Sequence, residues 1–200
     1  VDVVTRLVDD ASVSPDYAVP SEALGERARL VRLPCGPRRY LRKESLWSHL
    51  DQLVDRTLSY LRQQPRLPDV IHSHYADAGY VGVHLSQLLG VPLVHTGHSL
   101  GRCKRQRLLD HGRKAQAIDR QFNFARRIAA EEEVLEHAAL VVTSTAQESS
   151  EQYGLYENHQ PARMVVVPPG TDTSRFAPPG RAPIPLHVPA LVDRFFTQPK

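Results

Sequence analysis

Short apolar runs alternate along the chain with longer segments in which apolar residues recur every three or four positions. Runs of the first kind predict β-strands at residues 68–75, 91–96, 140–145 and 163–170. Helical spacing is found at residues 77–89, over most of 102–137 and near 146–153. Strands that alternate with helices favour right-handed crossovers and a parallel sheet with helices on both faces. The pattern therefore predicts an α/β, Rossmann-like fold.

The first 67 residues have a different pattern of apolar and polar residues. Residues 1–7 are rich in β-branched side chains, and residues 30–33 are mostly apolar, so both stretches predict strands. Residues 44–64 have helical spacing, and Pro65 is expected to end that helix. This part of the chain is therefore expected to add two short strands and one long helix.

The composition changes near Pro168. Eight of the 16 prolines lie in residues 168–199, which favours an extended, irregular segment. We therefore expect a domain over residues 1–175 and a proline-rich linker over residues 176–200. The first residues, VDVVTRLVDD, resemble neither a signal peptide nor an initiator start, so this domain is expected to begin upstream and to be incomplete here.

Charge and composition narrow the possible partners. The net charge of +3 comes mostly from arginine and gives a mild bias toward anionic ligands. Nucleic acid is disfavoured, because acidic residues lie among the basic ones and only 6% of residues are aromatic. No apolar run approaches the roughly 20 residues of a membrane span. Cys35 and Cys103 fit no metal or disulfide spacing, so a reduced, cytoplasmic location is expected.

Ligands of open parallel sheets bind beyond the carboxyl ends of the strands. Four polar or glycine-rich stretches follow the predicted strands, and they are HSHYADAG (72–79), HTGHSLG (95–101), TSTAQE (143–148) and PPGTD (168–172). We expect them to share one edge of the sheet. The chain has no phosphate loop and no GxGxxG motif, so an ATPase or dinucleotide enzyme has no local support.

Histidines are the first candidates at this edge. His98 follows a predicted strand at the expected start of a helix, with Ser99 as a possible cap. Its imidazole can bond a sugar hydroxyl or a carbonyl, or it can be a structural histidine. His72 and His74 share one face of a strand and are expected to be buried structural residues. A zinc pair is the alternative, although no third ligand stands out.

Basic residues are the second group of candidates, at positions 43, 104, 105, 107, 126 and 127. If they converge, they would bind a phosphate, and if they do not, they form a solvated basic face. Asp77 is a turn former or a sugar-binding carboxylate. Of Glu131, Glu132 and Glu133, at least two are expected to be solvated, and one can pair with an arginine one helical turn away.

Several separate motifs, in order along the chain, carry a family resemblance. They are LPCGPRRYLRKESLW, PDVIHSHYADAGYVG, VPLVHTGHSLGRCKRQRLL, ARRIAAEEEVLEHAALVVTSTAQES, EQYGLY and RMVVVPPGTDTSRF. Together they resemble the sucrose-phosphate synthase family, within the retaining two-domain glycosyltransferases of family 4. The resemblance covers nearly the whole chain.

The resemblance implies an incomplete amino-terminal, acceptor-binding domain of a GT-B glycosyltransferase, whose carboxy-terminal donor domain is absent from this chain. Such an enzyme transfers glucose from UDP-glucose to fructose 6-phosphate and releases sucrose 6-phosphate and UDP. The resemblance implies no cofactor, no metal and no membrane or nucleic-acid partner. Because the donor domain and the upstream glycine-rich loop are missing, this chain is expected to be inactive alone.

The motifs also imply residue roles. His98 would lie beside the reacting glucose as the catalytic histidine, and Lys43, Lys104 and Arg127 would bind the acceptor phosphate. Ser99, Tyr75 and Asp77 are further candidates for the lining of the same cleft. Sucrose synthase, another glycosyltransferase of this family, and a non-catalytic sugar-phosphate-binding module remain alternatives at this point. A nucleic-acid binder that uses the basic segment 102–127 is a further alternative.

Overall fold

The computed structural model describes residues 1–172, and its larger sheet has four parallel strands in the order β4-β5-β6-β7. The bounds of these strands are β4 (Ile71–His74), β5 (Leu93–Thr96), β6 (Leu140–Thr143) and β7 (Met164–Val166). All three pairings are parallel, which confirms the predicted α/β fold and its sheet. Each strand is shorter than the apolar run that predicted it.

The helices between these strands also follow the sequence pattern. They are α3 (Tyr75–Leu89), α4 (Gly101–Asp110), α5 (Ala115–Phe122) and α6 (Phe124–His137). The expected end of α3 at Gly90 is confirmed, since that glycine has a left-handed φ of 67°. The predicted helical stretch 102–137 is broken twice, because Gly112 and Asn123 adopt φ values of 76° and 48°.

The amino-terminal part forms a separate three-stranded sheet in the order β1-β3-β2, with bounds β1 (Asp2–Arg6), β2 (Ser21–Gly25) and β3 (Ala28–Leu33). Strands β1 and β3 were expected, whereas β2 was not, because SEALG has no β-branched residue. The long helix predicted for residues 44–64 is α1 (Lys43–Leu46), a 3-10 turn (Trp47–His49) and α2 (Leu50–Leu61). A π-helical turn (Glu148–Gln152) follows β6, where a short helix was predicted.

Residues Val1–Pro168 form one compact unit, and Pro169 begins a second. The predicted linker, residues 176–200, lies outside the described residues. Within residues 1–172, none of the helices has the length and apolar character needed to cross a membrane.

The core joins one face of the larger sheet to α3 and α6. Val83, Leu93 and Val134 are fully buried and belong to one apolar cluster, to which β6 contributes Val141. Helix α3 lies very close to its neighbours, because a Cβ on Gly79 would be 2.7 Å from Cγ2 of Val134. The packing of α3 is therefore what fixes the start of that helix at the ligand edge of the sheet.

Replacing Gly79 with alanine should destabilise the fold. The new methyl group would overlap the stiff side chain of Val134 and lie 3.1 Å from Cε1 of His95. Overpacking of this kind costs about 1–3 kcal/mol, against about 1 kcal/mol gained from the helix propensity of alanine. A lower urea midpoint for Gly79→Ala would show this. Gly154→Ala is the matched control, because its Cβ would meet no atom within 4 Å, and an equal midpoint for both variants would contradict the packing argument.

Candidate functional site

The turn after β5 is strained at His98. The backbone N–H of Ser99 donates to the carbonyl of Gly97 at 2.7 Å, which closes a three-residue γ-turn with His98 at its centre and a φ of 58°. Tyr75, which follows β4, also has a left-handed φ of 75°. Left-handed backbone is costly for residues with a side chain, and it is concentrated at functional sites. Both turns lie at the carboxyl edge of the sheet, as expected.

Gly97 is required by close packing. A Cβ at this position would overlap the hydroxyl of Tyr153, a side chain that is only 1% exposed. The glycine of the TGHS motif therefore brings the turn down onto the tyrosine, and it directs His98 outward, where its side chain is exposed.

A buried carboxylate holds the other end of this turn. The backbone N–H of Gly101 donates to both carboxylate oxygens of Glu131 at 3.0 Å, and the hydroxyl of Tyr156 donates to one of them. Arg127 adds a donation from Nε at 2.9 Å. Glu131 is 4% exposed. Its carboxylate caps α4, since the amides of a helix start need an acceptor.

Two expectations from the sequence are wrong here. Ser99 does not cap α4, which begins at Gly101 after Leu100 and has no side-chain cap from that position. The glutamate run is not mainly solvated either: Glu131 is buried, and Glu132 accepts a bond from Arg102 Nη2 at 2.7 Å. The expected pairing of one glutamate with an arginine one turn away is confirmed by Arg127 and Glu131.

Three cations from separate elements line one cleft that is open to solvent. Nζ of Lys43 lies 3.1 Å from the hydroxyl of Tyr75, and the guanidinium of Arg127 lies 4.6 Å from the centre of the same ring. Lys104 reaches the cleft over the ring of Phe122, at 4.7 Å. The lining residues are Lys43, Glu44, Trp47, Tyr75, Asp77, Lys104, Phe122, Phe124 and Arg127. Five of these residues were predicted from the sequence to share a cleft.

The electrostatics of this cleft favour an anion. Burial lowers the pKa of Lys104, and the charges of Lys43 and Arg127 lower it further. Burial also raises the pKa of Asp77, a carboxylate that lines the same cleft. Three cations and two carboxylates, those of Glu44 and Asp77, line the cleft, so an anion placed among the cations would stabilise each of them.

The remaining predicted cations do not line this cleft. Arg105 forms an ion pair with Asp119 at 2.9 Å, and Arg126 donates to the carbonyl of Trp47. The aromatic walls formed by Trp47 and Phe122 were not predicted. The only signal for Phe122 was the pair of phenylalanines on either side of Asn123.

The histidines form a second group at the same edge. Nδ1 of His74 lies 2.8 Å from Nε2 of His98, and the ring centres of His72 and His74 are 4.3 Å apart. His72 and His74 are exposed, so the prediction that they are buried is wrong. They lie on the face of β4 opposite to the buried Ser73. Within residues 1–172, no three acidic, histidine or cysteine side chains converge into a metal site.

His98 and Ser99 therefore stand beside the cation cleft and do not line it. Ser99 is connected to it through Arg127, whose Nη2 donates to the carbonyl of Ser99. The structure thus brings Lys43, Lys104, Arg127, Tyr75 and Asp77 together, and it places the other two predicted residues on the adjoining turn.

Comparison with known proteins identifies the family. A family model described as "Glycosyl transferase 4-like domain" matches residues 1–170. The chain belongs to this glycosyltransferase family. Its relatives also bear out the resemblance found in the motifs: the sucrose-phosphate synthase of Zea mays is 41% identical over 87% of this chain, and the probable sucrose-phosphate synthase 2 of Craterostigma plantagineum is 36% identical over 100% of it.

The chain spans only about a quarter or less of the length of these relatives. This chain spans 21% of the Zea mays protein and 25% of the Craterostigma plantagineum protein. The solved structure of the sucrose-phosphate synthase from Thermosynechococcus elongatus superposes with a TM-score of 0.68 over 99% of this chain and 42% of its own. At 24% identity, that likeness establishes the fold.

Removing the carboxylate of Glu131 should destabilise the protein strongly. In Glu131→Ala, Arg127 stays buried without its partner, and Gly101 loses the acceptor of its N–H. Breaking a buried ion pair on one side costs about 3–5 kcal/mol, and chemical denaturation would measure it. Glu136→Ala, an exposed position on the same helix, should stay within about 0.5 kcal/mol of the parent. If the two variants unfold alike, Glu131 does not hold the turn.

Acid should destabilise the fold through His95, which is 2% exposed and lies 2.8 Å from the hydroxyl of Ser73. Burial lowers the pKa of His95 from 6.5 to about 3. Between these values the unfolded chain binds a proton that the folded chain does not, so stability falls as the pH drops below about 6.5. The loss is at most about 1.4 kcal/mol per pH unit.

The variant His95→Asn isolates this effect, since asparagine can bond Ser73 but cannot titrate. We expect its free energy of unfolding, measured by urea denaturation from pH 7 to pH 4, to fall less steeply with pH than that of the parent. The difference in slope should correspond to about one proton taken up on unfolding. Parallel stability curves would contradict the assignment.

Proposed function

We propose that this chain is the acceptor-binding part of a sucrose-phosphate synthase. The reaction would transfer glucose from UDP-glucose to fructose 6-phosphate and give sucrose 6-phosphate and UDP. The observation that carries the proposal is the meeting of Lys43, Lys104 and Arg127 in one cleft. Family membership and the names of the relatives support the chemistry of glycosyl transfer.

The phosphate of the acceptor would occupy the cation cleft. A sugar phosphate near neutral pH carries up to two negative charges, and each of the three cations would offer it a charge-assisted hydrogen bond. Arg127 uses Nε for Glu131 and Nη2 for Ser99, so Nη1 is the donor left for a ligand. Tyr75 would complete the site, because its hydroxyl already lies beside the ammonium of Lys43.

The sugar ring of the acceptor would extend from this cleft toward the turn that carries His98. In that position the imidazole would lie beside the reacting glucose and hydrogen-bond it. The donor nucleotide would be held by a carboxy-terminal domain outside these 200 residues. We therefore propose that the chain alone does not catalyse transfer, and that it works without a cofactor in the cytoplasm. Both of its cysteines are free, which is consistent with that location.

A phosphorylated acceptor is favoured over a nucleic acid by the state of the other arginines. Arg102 is paired with Glu132 and Arg105 with Asp119, so these two of the nine basic residues in 102–127 are already engaged by carboxylates. The cleft also favours fructose 6-phosphate over free fructose, since an acceptor without phosphate would not need three cations.

The proposal predicts that Lys43→Met and Lys104→Met weaken acceptor binding. Methionine keeps an apolar stem over Tyr75 or Phe122 and removes the charge. Loss of one charge-assisted bond should lower the affinity for fructose 6-phosphate roughly ten- to hundredfold. Calorimetry with fructose 6-phosphate and with fructose, on the complete enzyme, measures the effect and the selectivity.

The control for this experiment is Lys114→Met, an exposed lysine that does not line the cleft. It should bind fructose 6-phosphate like the parent. Equal affinities in all three variants, or a parent that binds fructose as well as fructose 6-phosphate, would refute the proposed function.

A further inference from the structure

We infer that His74 is a positioning residue for His98: it fixes the orientation of that imidazole, selects which of its nitrogens carries the hydrogen, and leaves Nδ1 free for a sugar. This inference rests on the proposed function, because it concerns the histidine placed there beside the reacting glucose. His74 lies on β4, and His98 lies on the turn after β5. The two strands are adjacent and parallel.

The geometry couples the two rings. Nδ1 of His74 and Nε2 of His98 are 2.8 Å apart, and the ring planes differ by only 21° with centres 5.1 Å apart. In a neutral pair, one nitrogen must donate and the other must accept. The hydrogen bond of one nitrogen decides the state of the other nitrogen in the same ring. Fixing the tautomer of His74 therefore fixes that of His98.

His74 is itself held in place. It is part of a regular strand, and its ring contacts that of His72 at 4.3 Å between centres. His72 is anchored in turn, since its Nε2 lies 2.9 Å from the hydroxyl of Thr96. By contrast, His98 sits on a strained γ-turn with a φ of 58°. A strained turn needs contacts that hold it, and the bond to His74 is the one made by the imidazole.

The surroundings of His72 and His74 oppose protonation of both rings. Partial desolvation by the neighbouring groups lowers the pKa of His72 and of His74 first, and the neighbouring imidazoles lower both further. His95, the fourth imidazole of the group, is also kept neutral, mainly by burial. No carboxylate or basic side chain contributes to these shifts within residues 1–172.

The hydrogen bond to His74 therefore decides whether Nδ1 of His98 donates or accepts a hydrogen bond. If Nδ1 of His74 accepts, Nε2 of His98 donates and its Nδ1 is an acceptor for a sugar hydroxyl. If Nδ1 of His74 donates, Nε2 of His98 accepts and its Nδ1–H is a donor toward a sugar oxygen. In both cases the tautomers of the two rings are linked, so the role of the nitrogen that meets the sugar follows from the tautomer of His74.

The first test is NMR of ring nitrogens in the 200-residue chain labelled at histidine. In the parent, Nδ1 of His74 and Nε2 of His98 should show a coupling across their hydrogen bond. In His74→Ala the nitrogen shifts of His98 should move toward the average of the two tautomers. His74→Asn, whose amide can occupy the place of Nδ1, should keep shifts close to those of the parent. His137→Ala, an exposed histidine on α6, is the control and should change nothing at His98.

The second test uses the kinetics of the complete enzyme. His74→Ala should lower kcat about tenfold, the effect of losing one hydrogen bond that matters in the transition state. The KM for fructose 6-phosphate should stay unchanged, because His74 does not line the cation cleft. His74→Asn should restore most of kcat. Unchanged nitrogen shifts of His98 in His74→Ala, or a rise in KM with kcat unchanged, would overturn the inference.

These results are separate from those that test the proposed function. Loss of selectivity for fructose 6-phosphate in the parent would refute the acceptor site and leave the nitrogen coupling in place. A normal acceptor affinity with no coupling between His74 and His98 would refute the positioning role alone.

Discussion

The site depends on one buried carboxylate, that of Glu131. It accepts hydrogen bonds from the start of α4, from Arg127 on its own helix and from Tyr156, about 25 residues further along the chain. A buried charge is costly unless it is paired and fully bonded, and here a cation and two further donors satisfy it. The same carboxylate therefore ends the histidine turn at a fixed place and holds Arg127 at the edge of the cation cleft.

Arg127 connects the two parts of the site. Its guanidinium bonds the carbonyl of Ser99, next to His98, and it also lies over the ring of Tyr75 in the cleft. A phosphate bound in the cleft would thus be connected through one side chain, that of Arg127, to the turn that carries His98. This arrangement suits an enzyme that must hold one end of an acceptor while its other end reacts, because positioning of this kind supplies much of the rate.

The sequence predicted the features that depend on local spacing. The four strands, α3 and its Gly90 end came from periodicity and one left-handed glycine. Features that depend on partners distant in the sequence were not predicted. No residue near Glu131 in the sequence indicates that its carboxylate binds Tyr156 and Gly101. The predicted burial of His72 and His74 was wrong for the same reason, since which face of a strand is covered depends on how distant segments pack against the sheet. The grouping of cations was suggested by family motifs, and periodicity alone left it open.

The three cations of the cleft carry like charges close to one another. Lys43, Lys104 and Arg127 repel one another, and the lowered pKa of Lys104 records part of that repulsion together with the cost of burial. Glu131 pairs with Arg127 through Nε of the guanidinium. The ring of Tyr75 offers weak cation–π contacts to Lys43 and to Arg127. A phosphate would remove the repulsion among all three cations at once, whereas a hydroxyl would relieve none of it. Under the proposed function, discrimination for a phosphorylated sugar would follow from the charges assembled in the cleft. The effect would be reciprocal, because a bound anion would raise the affinity of Lys104 for its proton.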